Sequence, residues 1–399
     1  MEIDKKNIIL NAASTIFAYK GYERTKISEI AEAAGVTDST IYKYFEGKEH
    51  LLFSIPVEKT DFFLENLKEH LSGIKNSQDK LRKLIWHYLY FHQNNKEYAT
   101  IVLFELRPNR GFYRSQAYES FKKYNRIVID IIREGQKEGA FRRNSNIPLF
   151  RNLIFGSLDH TILGWLLFQK PKTLIDQADG LFELLYSAIK AEDGNPRKEE
   201  ADWIFDKRRA ILKVAESLFA EKGFRNSTIS DISEILGIGE ATIYEYFQNK
   251  EDLLFNIPKE RTESLIHLLN ANIQTKNEAE NEFRKFVWQY LSLFQNNKNY
   301  VSILLFELRP NRTFYSSGTT SSYESFRKYS NILIEIIKRG QKEGTFKKEV
   351  NNYLLRNAIF GSIDHTALTW ILFGKPNNLL DQGHELVELY LRAIKSSYP

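Results

Sequence analysis

Apolar residues recur at helical spacing almost from the first residue. Over Lys5–Tyr19, the residues Ile8, Ile9, Ala12, Ala13, Ile16 and Phe17 share one face of a 3.6-residue period, and Gly21 stands where a left-handed C′ residue would end the helix. The pattern then predicts a short helix over Ser28–Ala34, buried through Ile30, Ala31 and Ala34. A turn at Gly35-Val36-Thr37 follows, with Val36 tucked into the core, then a second short helix over Asp38–Tyr44 and a longer one from Lys48. Further helices are predicted at about 78–94, 97–106, 115–138, 148–168 and 174–191, with Asn146 before Ile147-Pro148 as an N-cap and proline in the first turn. No alternating pattern long enough for a strand appears, so the predicted fold class is all-α.

The whole pattern then repeats. Helices are predicted over Lys207–Lys222, Ser230–Leu236 and Glu240–Tyr246, with a long helix from Lys250. Phe104-Glu-Leu-Arg-Pro-Asn-Arg110 returns letter for letter as Phe306–Arg312, and Gly156-Ser-Leu-Asp-His-Thr161 as Gly361-Ser-Ile-Asp-His-Thr366. The offset is 202 at Tyr42/Tyr244 and 205 at Gly156/Gly361, with the three extra residues placed in the 316–322 stretch. A solenoid repeats every ~20–50 residues, so a period this long describes two copies of one protein, each large enough for its own core. Polar, Gly- and Pro-broken Glu192–Asp202 is the predicted linker; its eleven residues reach roughly 40 Å.

Composition narrows the class further. A chain of 399 residues with 42% hydrophobic and 27% charged residues is that of a folded protein rather than a disordered one. Without cysteine there are no disulfides and no thiolate metal sites. The start lacks a signal-peptide profile, and the longest apolar run, Ile162–Phe168, is far short of the ~20 residues that cross a bilayer, so a soluble cytoplasmic protein is expected. A net charge of +5 is compatible with a nucleic-acid partner without demanding one, and over residues 1–50 seven Lys/Arg face eight Asp/Glu. Any positive DNA-facing surface must come from arrangement.

Helix, Ala34-Gly35-Val36-Thr37, helix is the spacing of a helix-turn-helix, in which the second helix presents its N-terminal residues to a major groove. The longer string Gly21–Leu51, with its Gly35-Val36-Thr37 turn and Ile41-Tyr-Lys-Tyr-Phe45, resembles the TetR/AcrR family of transcriptional regulators, and Gly223–Leu253 resembles it independently. That resemblance implies a three-helix DNA-binding head and a larger helical domain that takes a small effector and dimerises through its last two helices. The expected division is 1–47 and 203–249 for the heads, 48–191 and 250–399 for the effector and pseudo-dimerisation domains, and 192–202 for the linker. The resemblance also implies a repressor released from double-stranded DNA by its effector.

Carried over by position, Thr37, Ser39, Thr40, Tyr42, Lys43 and Tyr44 are the expected DNA-facing residues of copy one, with Lys48 at the start of the next helix and Lys26 ahead of the first short one. Hydroxyls at a helix start suit phosphate, and a lysine suits phosphate or a base edge. Core packing of Tyr42 or Tyr44 and a solvated Lys48 are the structural alternatives. The copy-two positions are Thr228, Gly239, Ala241, Thr242, Tyr244, Glu245, Tyr246 and Lys250. Glutamate at 245 in place of lysine can accept from cytosine N4 but repels phosphate. Thr228 with Asp231 makes a capping-box start that Lys26 gives up. Fused copies whose recognition helices differ are expected to act as an intramolecular pseudo-dimer, the chain itself monomeric, on two unlike half-sites. The small residues of 156–165 and 361–370 are the interface candidates.

The second domain is rich in aromatics, read either as plain core or as the lining of an elongated apolar cavity for a small hydrophobic effector. The candidate ligand residues are Trp86, Tyr90, Phe104, Arg107 and Trp165, with Trp288, Phe306, Arg309 and Trp370 in copy two. Arg107 and Arg309 could anchor an acidic headgroup, or pair with Glu105 and Glu307. The Glu-Leu-Arg and Phe-Gly-Ser-(Leu/Ile)-Asp…Trp strings are similar to regulators that respond to fatty acyl-CoA. Asp159-His160 and Asp364-His365 lack a third ligand or a nucleophile, so no metal, cofactor or catalytic site is expected. The alternative function is a helical small-molecule-binding or scaffolding protein in which one head no longer binds DNA.

Overall fold

The computed structural model describes residues 2–143, 146–190, 207–272, 278–315 and 321–396. The predicted linker and most of the three-residue insertion region lie outside them. Copy one forms α1 (Glu2–Lys20), α2 (Ile27–Ala33), α3 (Asp38–Tyr44), α4 (Lys48–Leu71), α5 (Ser77–Asn94), α6 (Lys96–Ile101), α7 (Ala117–Glu138), α8 (Ile147–Phe168) and α9 (Ala178–Ile189). Copy two forms α10 (Lys207–Lys222), α11 (Ile229–Leu236), α12 (Glu240–Tyr244), α13 (Lys250–Asn272), α14 (Ala279–Asn296), α15 (Lys298–Ile303), α16 (Ser321–Glu343), α17 (Asn352–Phe373) and α18 (Leu380–Ile394). No strand occurs among the described residues, and the all-α reading holds.

Local chemistry explains most of the boundaries. The Asn76 side chain accepts the Asp79 N–H at 2.7 Å to start α5, and Asn146 accepts the Leu149 N–H at 3.1 Å to start α8 as the sequence predicts. Asn351 does the same for α17, accepting from Tyr353 and Leu354. α3 and α12 differ: the first has seven residues capped by the Thr37 hydroxyl, whereas the second ends at Tyr244, two residues earlier than predicted, with Gly239 at its N-cap and no side-chain cap. The predicted 97–106 helix is two elements in each copy. α6 and α15 give way to one π-helical turn, Val102–Leu106 and Leu304–Leu308, in which Arg107 N–H reaches Val102 O and Arg309 N–H reaches Leu304 O, both at 2.9 Å.

The α1 core face is rotated from the predicted one. Ile9, Leu10, Ala13 and Phe17 are buried, whereas Ile8 is exposed. Ala34 and Val36 are half-buried rather than fully buried. The bodies close around aromatic clusters. Phe63 meets His87, Phe91 and Tyr124 at ring-centroid distances of 4.7, 4.9 and 5.0 Å, and in copy two Phe360 meets Tyr290 at 5.1 Å and Phe326 at 5.2 Å. Each fully buried Phe contributes ~2–3 kcal/mol in transfer free energy, so these clusters add substantially to the cohesion of the bodies beside the buried aliphatic side chains.

The chain divides into two compact units. The first comprises residues 1–151 and 158–183, the second 152–157 and 184–399. Within the second unit, the stretch Asn152–Ser157 of α8 packs on α17. A Cβ built on Gly156 would fall inside the van der Waals envelope of the Gly361 backbone, and one on Gly361 would strike the Gly156 carbonyl. Asn152 Nδ2 donates to Thr366 Oγ1 at 3.3 Å, and the Phe155 ring lies parallel to that of His365 at 6.3 Å.

Candidate DNA interface and effector core

Each head is built on a pair of buried anchors. Ile41 and Phe45 in copy one, Ile243 and Phe247 in copy two, are essentially inaccessible and fix α3 and α12 on the head. The turn before each recognition helix uses Gly35 or Gly237 at φ +65°, a conformation that only glycine adopts without cost. With 41 and 45 inward, helical spacing turns 42 and 43 outward. Tyr42 is 57% exposed and Tyr244 51% exposed, and Lys43 and Glu245 are exposed beside them, so Tyr42 is not a core aromatic. Tyr44 is half-buried, whereas its counterpart Tyr246 is exposed.

The start of α3 gathers three hydroxyls. Thr37 Oγ1 accepts the Thr40 N–H at 3.3 Å and lies 2.8 Å from Ser39 Oγ and 3.0 Å from Thr40 Oγ1. In copy two, Gly239 and Ala241 hold the first two of those positions, so that hydroxyl cluster is lost and only Thr242 remains, half-buried. The capping boxes ahead of α2 and α11 are less different than the sequence suggests. Thr228 and Asp231 exchange both bonds, at 3.0 and 2.7 Å, and Lys26 still donates its backbone N–H to Glu29 at 2.9 Å, leaving its ammonium exposed.

Lys48 and Lys250, expected to face DNA, are bonded within their own heads. Lys48 Nζ donates to Thr25 O at 3.0 Å and Glu23 O at 3.3 Å and sits 4.4 Å over the Tyr22 ring. Lys250 Nζ donates to Ser227 O at 2.8 Å and Phe224 O at 2.9 Å and sits over the Phe224 ring. Each ammonium pins the loop between the first two head helices to the start of the long one. Burial lowers the Lys48 pKa, and the nearby Glu105 carboxylate opposes that shift. Nothing in composition or periodicity distinguishes such a clamp from a solvated helix-start lysine.

In the bodies, Arg107 and Arg309 pair neither with Glu105 nor with Glu307. Arg107 Nη2 lies 2.9 Å from Asp159 Oδ2, and Arg309 Nη2 lies 2.8 Å from Asp364 Oδ2, with both carboxylates buried. Tyr88 Oη donates to Asp159 Oδ1 at 2.8 Å, and the Tyr113 and Tyr315 hydroxyls donate to the Arg107 and Arg309 carbonyls. Burial by itself would lower each guanidinium pKa, but the adjacent aspartate is the strongest opposing influence and the net shift is upward, so both stay charged. In copy two, the buried Tyr290 and Tyr329 hydroxyls and Arg309 Nε have no hydrogen-bond partner among the described residues, which leaves polar capacity amid aromatic side chains. The letter-for-letter repetition of Phe-Glu-Leu-Arg and of Asp-His was the available signal for this pair.

The remaining candidate ligand residues separate by burial. Phe104, Phe306 and Trp370 are inside, and Trp165 is half-buried beneath Lys96. Trp86 and Tyr90 instead stack on each other at 4.8 Å, with Trp86 half-buried, Tyr90 exposed and Lys83 over the indole, so they lie at the edge of the body. Trp288 is half-buried against Gly383 of α18. Helical spacing alone places Trp86 one turn from Tyr90 without indicating which side of α5 they occupy.

Two helix-turn-helix heads, each carried on a helical body with a buried ion pair, define a DNA-binding regulator. The family model for bacterial regulatory proteins of the tetR family matches residues 9–55 and 211–257, and that for the YsiA-like C-terminal region matches 57–188 and 258–393. The chain belongs to the TetR family, as two complete repeats in tandem. The fatty acid metabolism regulator protein of Bacillus subtilis is 32% identical over 181 residues, 45% of this chain and 93% of its own length. The transcriptional repressor KstR2 of Mycolicibacterium smegmatis is 23% identical over 153 residues, 38% of this chain and 74% of its own. Among solved structures, FadR from Bacillus subtilis in complex with stearoyl-CoA is similar at 31% identity and a TM-score of 0.43, covering 45% of this chain and 97% of that one. No helix among the described residues is long and apolar enough to cross a membrane.

Proposed function

We propose that the chain is a repressor acting as a covalent pseudo-dimer, with its two heads reading unlike half-sites and a fatty-acid-derived effector releasing it from DNA. The observation that carries this reading is the pair Lys43 and Glu245: opposite charges at one exposed, corresponding position, at the end of each recognition helix. A lysine there favours phosphate or guanine, whereas a glutamate favours only a donor such as cytosine N4. Thr37, Ser39, Thr40, Tyr42, Lys43 and Tyr44, with Lys26, form the interface in copy one, and Thr228, Gly239, Ala241, Thr242, Tyr244, Glu245 and Tyr246 in copy two. The heads are taken as 1–47 and 203–249, the bodies as 48–191 and 250–399.

Gly156 against Gly361 supports the pairing of copies, since residues on the axis of an isologous contact meet their own counterparts. The effector assignment rests on the 32% identity to a fatty acid metabolism regulator, together with a half-buried arginine, a buried aspartate and tyrosine hydroxyls without a partner among the described residues, amid aromatic side chains. The decisive experiment selects binding sites from random DNA with the intact chain and measures the mass of the complex. One chain on an asymmetric site is expected. A perfect palindrome, or two chains using one head pair, would overturn the reading. Stearoyl-CoA is the first effector to titrate against the selected DNA.

A further inference from the structure

We propose that Glu105 and Glu307 are positioning residues that hold each DNA-binding head to its effector core, and that the π-helical turn carrying them transmits the state of the buried Arg–Asp pair to the head. The effector arm of this inference rests on the function proposed above.

Glu307 Oε1 accepts the backbone N–H of Phe224 at 3.1 Å, and Phe224 directly follows Gly223, which ends α10 at φ +84°. The same loop is held from its carbonyl side by Lys250, through Phe224 O and Ser227 O. The head loop is therefore gripped twice, by an ammonium on its carbonyls and by a carboxylate on an amide. In copy one the glutamate and lysine take matching places. Glu105 Oε1 lies 3.5 Å from where a Cβ on Gly21 would stand, and Lys48 holds Glu23 O and Thr25 O.

Two residues beyond each glutamate comes the arginine of the buried ion pair. Residues two apart on a helix lie on roughly opposite faces, so one turn presents Glu to the head and Arg to the core. The π geometry, closed by the Arg309 N–H on Leu304 O and the Arg107 N–H on Val102 O, fixes that division in both copies. π-turns are rare and cluster at functional positions. An anionic or carbonyl-bearing effector head that competes with Asp159 or Asp364 for the arginine shifts the turn, and the glutamate moves with it. Coupling of this kind is reciprocal: DNA held by the heads disfavours the displaced arginine.

Hydrogen exchange on the intact chain, without ligand, tests the relay directly. Asp159→Asn/Asp364→Asn should speed exchange of the head-loop amides at 21–25 and 223–227 at least tenfold. In a Glu105→Gln/Glu307→Gln background the same change should add less than twofold. Arg107→Lys/Arg309→Lys serves as the milder core perturbation if the aspartate variants do not fold. Unchanged loop exchange alongside faster exchange in the core would overturn the relay. Separately, the ratio of DNA Kd with and without saturating stearoyl-CoA should fall from at least tenfold to under twofold in Glu105→Gln/Glu307→Gln, with stearoyl-CoA affinity unaltered. A wild-type chain indifferent to stearoyl-CoA refutes the effector assignment alone, because the exchange experiment still decides the relay.

Discussion

Gly156 and Gly361 make the strongest quantitative demand on the second unit. Replacing an interior helical glycine with alanine at an open site stabilises the helix by about 1 kcal/mol, because the backbone has less entropy to lose. At position 156 the new methyl would meet the backbone of Gly361, which no rotamer change can move aside. Ordinary Cβ contact needs 3.4–4 Å, so α8 and α17 must separate locally by roughly an ångström. Overpacking of this kind costs ~1–3 kcal/mol, and here it also stretches the Asn152–Thr366 hydrogen bond and unstacks Phe155 from His365. The expected net effect of Gly156→Ala is a loss of about 2 kcal/mol, with a larger, non-additive loss for Gly156→Ala/Gly361→Ala since the two methyls collide. Urea unfolding followed by far-UV dichroism measures this as a lower midpoint at constant m. A double variant as stable as wild type to within about 0.5 kcal/mol would refute the close approach.

Three further outcomes follow from the heads and bodies. Lys43→Ala should weaken binding to random duplex DNA and reduce the slope of log K against log salt by ~1, while Glu245→Ala should strengthen binding; anisotropy titrations over a salt series measure both. Lys48→Met should destabilise the first head by ~1–3 kcal/mol, by removing charge-assisted bonds to Thr25 and Glu23, and leave the salt slope unaltered; a slope reduced by one would restore the phosphate role. Burial, aided by His70 and Lys83, holds His87 down at about 4, and burial likewise holds His92 at about 4 despite its contact with the Tyr88 carbonyl and the charge of Asp159. Depressed folded pKa values mean that the unfolded chain binds more protons between pH ~6.5 and ~4, so stability is full above that window and falls through it on acidification. Copy two has Gln289 and Phe294 at these positions, so His87→Gln/His92→Phe should flatten the acid loss, on the order of a few kcal/mol, seen in melting temperature against pH.

The sequence conveyed what depends on period and on short-range chemistry. Helix existence, the Gly35 turn, the Asn146 cap and the duplication all follow from residues close together along the chain. Features requiring knowledge of the third dimension were less accessible. Period alone placed Ile8 on the inner face of α1, where Leu10 is buried instead, and could not tell which side of α5 carries Trp86 and Tyr90. Asp159 lies more than fifty residues from Arg107 in the chain, and Glu105, two residues away, was the plausible local partner. The π-turn explains the failure, because it points Glu105 and Arg107 to different neighbours. Lys48 reads as a DNA contact from its position at a helix start, and only the carbonyls of the folded loop reveal the clamp.

Several pairs identical in the two copies sit where burial or close packing constrains them, although the buried His87 and His92 give way to Gln289 and Phe294. Arg107/Arg309, Asp159/Asp364, Lys48/Lys250 and Gly156/Gly361 are identical pairs, all at positions where one change leaves an uncompensated group or a steric clash. Losing one partner of a buried ion pair costs ~3–5 kcal/mol, comparable to much of a domain's stability. An exposed recognition-helix residue costs little to change, usually within about 0.5 kcal/mol. Divergence after a duplication therefore collects on surfaces whether or not it is useful, and difference alone is weak evidence for two unlike half-sites. The sign of the difference is stronger evidence. On the interface proposed above, the exposed Glu245 sets a negative charge against the DNA polyanion, a position where random surface drift would weaken binding unless a base donor compensates it. Covalent fusion makes that compensation possible, because a glutamate acquired by one head need not appear in the other.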